Sequence, residues 1–380
     1  MSTVIDNIGL LVTNRDEGEL TDAWIAIDGA LVVATGTGKP PAADKRIDAE
    51  RRCVIPGFVD SHTHLIFAGD RSAEFAARMS GLPYEAGGIR TTVEATRAAT
   101  AELLTELATA RMAEAHRAGI TTIEIKSGYG LDLEHELISL QIGERLTSEV
   151  TFLGAHVVPN EFLGRADDYV HLVTGDMMKA AAEHASWVDA FCEVGAFDED
   201  QSRAILEAGR ASGLGLRLHA NQLGPGPGAQ LAVEMDCASA DHCTFLSDDD
   251  IDALAGSSTV VTFLPATEFS TKQPYPDARR VLDAGATVAI ATNCNPGSSY
   301  TTSMSLCVAL AVREMGMTIR EALQAATSGG AAALRRDDIG WLGAGSRSDM
   351  VVLDAPSYDF LVYRPGVPQI ALTMIGGEQI

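Results

Sequence analysis

Basic residues are scarce in this sequence: 28 Lys and Arg stand against 52 Asp and Glu, a formal net charge of −24. A surface that acidic repels phosphate backbones and anionic lipid, which argues against nucleic-acid and membrane partners. It leaves room for an anionic small molecule, because a site can be locally positive inside an acidic protein. No uninterrupted apolar stretch reaches the ~18–20 residues of a membrane span. The start, MSTVIDNIGLLVTNRDEGEL, lacks a basic run followed by an apolar one, so no secretory signal is expected. Cysteine is sparse. Cys53, Cys192, Cys237, Cys243, Cys294 and Cys307 form no CxxC pair, and a chain of 380 residues needs no disulfide staples. Six reduced thiols in a cytoplasmic protein are expected. There is no low-complexity run and no internal repeat, and the 36 glycines and 14 prolines are scattered as turn punctuation.

The apolar content, 46 %, is enough for a large core, and the length suits one large barrel with a minor appendage. Both ends read as short strands. Val4-Ile5, Leu10–Val12, Trp24–Ile27 and Leu31–Val33 are separated by Asp-Gly, Gly-Thr-Gly and Pro-Pro signals. Met350–Leu353, Phe360–Tyr363 and Ala371–Ile375 follow near the end. These runs predict one small β-sandwich domain built from residues 1–55 and 346–380. The middle, 56–345, alternates. Strand-length apolar runs occur at 58–64, 120–127, 151–156, 187–194, 214–220, 238–243, 259–265 and 287–293, with helical patterns such as 101–118, 133–147 and 199–212 between them. Eight strands separated by helices predict an α/β fold, a (β/α)8 TIM-type barrel. The rival, a doubly wound open sheet, would place a Gly-rich phosphate turn after the first strand, and none is there.

Nine histidines occur, and His62, His64, His156, His219 and His242 fall at or near the ends of predicted strands. One histidine in such a place is usually a satisfied core or surface residue. Five at the same end of different strands point to the C-terminal mouth of a barrel, where catalytic side chains gather. In Phe58-Val59-Asp60-Ser61-His62-Thr63-His64 the imidazoles are two apart on a strand, so they share a face and can hold one metal ion together. His219, closing the run from Leu214, supplies a third nitrogen. Imidazole suits a borderline divalent ion such as zinc or iron, and three nitrogens leave positions open for water and substrate. His242, at the end of Ser239-Ala240-Asp241-His242, reads as an acid–base group beside the ion; the alternative is a structural strand-end histidine.

Together these segments resemble the amidohydrolase superfamily and, within it, the imidazolonepropionase (imidazolone-5-propionate hydrolase) family. The matching stretches are PGFVDSHTHLIFAGDR (56–71), GGIRTTVEATRAAT (87–100), EIKSGYGLD (124–132), LGAHVVP (153–159), LRLHANQL (216–223), SADH (239–242) and NCNPGSS (293–299). KSGYG and NPGSS separate this family from other amidohydrolases. The resemblance implies one divalent ion, Zn or Fe, on His62, His64 and His219. It implies substrate contacts at Arg71, Tyr129, His156, Asn295, Gly297 and Ser298, and a catalytic polar pair, Gln222 and His242. The implied reaction is hydrolysis of the cyclic amide of 4-imidazolone-5-propanoate to N-formimino-L-glutamate, a step of histidine degradation, by a cytoplasmic homodimer. Arg71 would grip the propionate carboxylate through a bidentate fork; a rim salt bridge to Asp70 or Glu74 is the plain alternative. Tyr129 and His156 would offer donors to tail or ring. The ion would polarise the ring carbonyl and lower the pKa of water toward ~7. Gln222 stands where some members have Glu, and an amide cannot serve as a general base.

One position departs from the family. Its strand eight ends in an aspartate that binds the metal and accepts a proton from the attacking water. Here Asn293 stands there, in Ala289-Ile290-Ala291-Thr292-Asn293-Cys294-Asn295-Pro296. An amide oxygen is a neutral, weaker ligand and takes no proton at neutral pH. Three explanations stay open: an inactivated variant, an enzyme whose only base is His242, or a diverged paralogue that binds or hydrolyses a related carboxylate-bearing ring. A deaminase would sit between, but KSGYG and NPGSS argue against it. Asp60 and Asp241 are the neighbouring carboxylates that could compensate.

Overall fold

The computed structural model describes residues 2–15, 18–81 and 88–380. Gly87, which opens the GGIRTT stretch, lies outside them. Among the described residues, sixteen strands follow in chain order. The first five are β1 (Ser2–Val12), β2 (Glu19–Asp28), β3 (Leu31–Thr37), β4 (Lys45–Asp48) and β5 (Cys53–Pro56). The next eight are β6 (Phe58–Asp60), β7 (Ile120–Lys126), β8 (Glu149–Ala155), β9 (Trp187–Cys192), β10 (Gly215–Ala220), β11 (Ser239–His242), β12 (Val260–Phe263) and β13 (Val288–Ile290). The last are β14 (Met350–Leu353), β15 (Ile370–Ile375) and β16 (Glu378–Gln379).

Both ends of the chain share one sheet, ordered β16-β15-β14-β5-β1-β2-β3, with β4 also on β1. β14 runs antiparallel to β5, Met350 opposite Pro56, so the tail is stitched to the strand that leads into the barrel. Ile5, Leu11, Ile25, Val54, Met350 and Met374 close the faces of this sheet on a core of its own. That is the small β-sandwich domain expected from both termini.

The second sheet runs β6 through β13 in sequence order, every pair parallel. Its strands are buried almost throughout, as expected when helices cover one face and the barrel interior the other. The last strand meets the first beyond the regular ladder. Asn293 N donates to the His62 carbonyl and His64 N to the Cys294 carbonyl, both at 3.0 Å. Main-chain closure therefore places Asn293 beside the HxH pair. Several of the intervening helices start where short polar side chains cap them: Thr100 accepts from Leu103 N, Asp132 from His135 N, and Asp198 forms a capping box with Gln201.

One expected strand is a helix. Phe360–Tyr363 forms a single helical turn after the Ser357–Asp359 hydrogen bond, with Leu361 buried. Phe360 and Val362 pack on the barrel core rather than on the terminal sheet. Four apolar residues in a row fit either element, and tertiary packing decides between them. All six cysteines are free and buried; burial pushes the Cys53 thiol up to about 12. No helix among the described residues is long and apolar enough to cross a membrane.

Helix Pro265–Thr271 carries a buried acid that the fold tolerates at a cost. Glu268 Oε1 accepts from Thr244 Oγ1 at 2.9 Å, while Oε2 is buried without a partner. Burial raises its pKa to about 7. The folded chain thus holds this proton at pH values where the unfolded chain, with a carboxyl near 4.5, has lost it. Stability falls as pH rises from roughly 4.5 to 7 and stays low above. Glu268→Gln is expected to remove that loss, gaining on the order of 2–3 kcal/mol at pH 8 and little at pH 4. Thermal unfolding of both proteins across that range checks it; an equal shift in Tm at both pH values would show that the Glu268 proton is not what the substitution removes.

Candidate active site

The five strand-end histidines meet at one end of the barrel. Ring centroids of His62 lie 5.2 Å from His64, 4.5 Å from His219 and 5.7 Å from His242. His156 stacks on His64 at 5.2 Å. All five come from the C-terminal ends of β6, β8, β10 and β11 or the residues just beyond. The backbone bends sharply there. Asn221, His242, Cys243 and Asn293 adopt positive φ, with His242 at 75°. Asparagine and histidine tolerate that region better than most residues; for Cys243 it costs about 1–3 kcal/mol, strain of the kind that gathers at working sites.

His62, His64 and His219 each offer one ring nitrogen, all within 4.8 Å of one another and all buried. Buried carboxylates stand beneath two of them. His62 Nδ1 donates to Asp241 Oδ2 at 2.7 Å, and His219 Nδ1 lies 3.0 Å from Asp189 Oδ2. The His62 ring therefore keeps a lone pair on Nε2, while the His219–Asp189 approach is a close charge contact that is not aligned as a hydrogen bond. His62 Nε2 and His64 Nε2 are 3.3 Å apart. Two nitrogens each ~2.0–2.2 Å from one ion stand about that far apart. Asn293 Oδ1 is buried nearby without a hydrogen-bond partner, while its Nδ2 donates to Thr267 Oγ1 at 2.9 Å. Converging lone pairs and an orphaned carbonyl oxygen fit a divalent cation.

Lys126, of the KSGYG stretch, organises that lower layer. Its Nζ lies 2.9 Å from Glu124, 2.8 Å from Asp189 and 3.8 Å from Asp241. Arg217 Nη2 lies 3.5 Å from Asp241 and donates to the Ser61 carbonyl at 2.6 Å. All five side chains are fully buried. Burial alone would raise Asp241, but Arg217 and Lys126 hold it below the usual carboxylate range. Asp189 is likewise held low against burial, by His219 and Lys126. Both carboxylates thus stay ionised, Asp241 as acceptor for the His62 N–H and Asp189 as acceptor for the His219 backbone N–H. Asp241→Asn is expected to loosen His62 and cut divalent-metal affinity about 10–100-fold, measured by competition with a chelator; unchanged affinity would show that Asp241 does not orient the ligand.

The cavity above is walled by His64, His156, His219 and His242, by Tyr129, Gln222, Asn293, Asn295 and Ser298, and by Arg71. No Asp or Glu lines it among the described residues. Gly297 borders the adjoining outer cavity with Arg71. Every expected site residue is therefore at this mouth. Three expectations change in detail. Asp60 and Asp241 do not face the cavity: Asp60 accepts from Thr292 N and Oγ1, and Asp241 serves His62. His156 donates through Nδ1 to the Gly128 carbonyl at 2.9 Å, and burial drives its pKa down to about 3. A neutral ring with Nδ1–H presents Nε2 as an acceptor, not a donor. Gly128 reaches that position with φ 108°, a conformation suited to glycine. Asn295 spends its side chain on its own loop, accepting from Gly297 N and Ser298 N at 2.8 Å and donating to the Asn293 carbonyl at 2.7 Å.

Sequence reading passed over Glu124, Lys126, Asp189 and Arg217. Only the parallel register of β7, β9, β10 and β11 brings them together.

Comparison with known proteins agrees with this architecture. Residues 53–380 match the model of the Amidohydrolase family. An imidazolonepropionase from Salinispora tropica is 61 % identical, over 99 % of this chain and 98 % of the relative. One from Mycolicibacterium smegmatis is 61 % identical, over 99 % and 96 %. One from Streptomyces griseus is 57 % identical, over 100 % and 99 %. Among solved structures, a triazine hydrolase from Arthrobacter aurescens superposes with a TM-score of 0.78 at 19 % identity, covering 100 % of this chain and 94 % of the other. Atrazine chlorohydrolase from the same organism, complexed with zinc, gives 0.73 at 18 %, covering 99 % and 94 %. At that identity the likeness is one of fold. The sequence matches reach further: this chain belongs to the amidohydrolase family and, within it, to the imidazolonepropionases.

Proposed function

We propose that this chain hydrolyses the ring amide of 4-imidazolone-5-propanoate to N-formimino-L-glutamate. The observation that carries the reading is the cavity itself: an imidazole cluster on one wall, the Arg71 guanidinium on another, and no carboxylate lining it among the described residues. One divalent ion, zinc or iron, would be held by His62, His64 and His219 with the neutral Oδ1 of Asn293. When bound it supplies Lewis acidity to the ring carbonyl and acidity to water. Arg71 holds the propionate carboxylate, with Tyr129, Asn295, Gly297 and Ser298 shaping its seat. His156 Nε2 accepts from a ring N–H. Gln222 lends an amide and takes no proton. His242 manages the proton. Water oxygen adds to the ring carbonyl carbon, the ring C–N bond breaks, and a ring nitrogen of His242 receives the water proton and passes it to the leaving nitrogen.

A second reading rests on one observation: Asn293 and Gln222 are both neutral, and Asp60 and Asp241 are engaged elsewhere. A paralogue that binds a related ring without opening it would share these walls. Incubating the metal-loaded protein with imidazolone propionate separates them. Loss of the imidazolone chromophore with formation of N-formimino-L-glutamate supports the hydrolase; tight binding with no product supports the paralogue. We further propose the division into 1–55 with 346–380 and 56–345, a homodimer, and a cytoplasmic place in histidine degradation, the last supported by six free thiols.

A further inference from the structure

Arg71 does not reach the cavity alone. It precedes the helix Ser72–Met79, and Glu74 and Arg78 follow it at spacings of three and seven, on one helical face. Glu74 accepts from Arg71 Nε on Oε2 at 2.8 Å and from Nη2 on Oε1 at 2.7 Å. The same Oε1 accepts from Arg78 Nη2 at 2.9 Å. Arg78 also donates to the Gly297 carbonyl at 3.0 Å and the Ser270 carbonyl at 3.1 Å. The Arg71 and Arg78 side chains are 6 % and 3 % exposed.

Backbone closes in on the Arg71 guanidinium. A Cβ on Gly297 would stand 2.0 Å from Nη1, and one on Gly88 would stand 2.3 Å from Nη2. The Nε–Nη2 edge, one of the two edges that can fork a carboxylate, is taken by Glu74. Among the described residues the Nη1–Nη2 end is what remains for the cavity. Two guanidinium groups against one carboxylate leave this triad one net positive charge at the wall.

We propose that Glu74 and Arg78 are positioning residues that set specificity for a single carboxylate: they lock Arg71 in one orientation and leave its Nη1–Nη2 end and one net charge for the substrate. This rests on the reading of Arg71 as the carboxylate seat. The test compares 4-imidazolone-5-propanoate with its propionamide analogue, by steady-state kinetics on the metal-loaded protein. In Glu74→Gln the new amide satisfies one Arg71 donor and opposes the other. The wall gains a positive charge but no longer holds Arg71 in one orientation. Because orientation sets the specificity, the preference for carboxylate over amide should fall about tenfold or more, through KM of the acid, with kcat within about threefold, and a rise would show that charge alone sets it. Arg78→Met should shift the same ratio, and Arg78→Lys should restore part of it. A lower KM in Glu74→Gln would mean that Glu74 competes with substrate and would overturn the proposal. So would an unchanged ratio in Glu74→Gln and Arg78→Met, even with a lower Tm. Should Glu74→Gln fail to fold, the two Arg78 variants decide by the same ratio. Arg71→Met separates the layers. If it leaves the ratio intact, the carboxylate sits elsewhere and the underlying reading fails. If it collapses the ratio while the Glu74 and Arg78 variants do not, only the positioning role fails.

Discussion

An Asn293→Asp protein is expected to hold a divalent ion more tightly and to open imidazolone propionate faster, by ~10²–10⁴-fold if the new carboxylate serves as the general base. The surroundings already accommodate it. Asn293 sits at φ 52°, where aspartate is as acceptable as asparagine. Thr267 Oγ1, which now accepts from Nδ2, can turn its hydrogen toward a carboxylate instead. The oxygen that matters, Oδ1, is buried without a partner. Beneath the histidines, Glu124, Asp189 and Asp241 face Lys126 and Arg217, a local balance of about one negative charge. A second negative charge beside a dication should raise retention, which chelator competition measures without reference to turnover. Flat or lower turnover in Asn293→Asp, with the fold intact, would mean that the site is built around a neutral eighth-strand residue. The diverged-paralogue reading would then replace the hydrolase.

Arg71→Met is expected to weaken substrate binding by roughly 2–5 kcal/mol, because it removes a charge-assisted pair from a mostly buried wall. Methionine fills much of the same volume, and Glu74 keeps its bond to Arg78. If the carboxylate is held equally in ground and transition states, the loss appears in KM and kcat changes little. Steady-state kinetics on the two proteins read this directly. Unchanged kinetics would place the carboxylate elsewhere.

What the sequence revealed, and what it did not, follows from how far each signal travels along the chain. The barrel was legible because strands buried on both faces read as near-continuous apolar runs, and all eight runs became strands. His62 and His64 were legible as a pair because strand periodicity is local. Their joining with His219 and Asn293 could be inferred only from strand order and resemblance, and the closure bonds between His62, His64, Asn293 and Cys294 show how it is built. Phe360–Tyr363 was misread because four apolar residues carry no period. The lower charge layer was invisible: Lys126 and Asp189 are far apart in sequence and meet only through strand register. The direction of His156 was missed for a smaller reason. Its donor is spent on one carbonyl, that of Gly128, and no pattern of residue types reports that bond. Glu74 was named only as a plain salt-bridge partner of Arg71, because spacing alone does not say which edge of a guanidinium it takes.

Hydrolysis at this site depends first on the ion held by His62, His64 and His219. Protein stripped with a chelator and repleted stepwise with zinc or ferrous iron should regain turnover of imidazolone propionate in proportion to bound metal, levelling at one ion per chain, with N-formimino-L-glutamate as product. His219→Ala, treated identically, should neither retain the ion nor regain turnover. Full turnover by the metal-free protein, or saturation at one ion per chain with the imidazolone ring left intact, would contradict it.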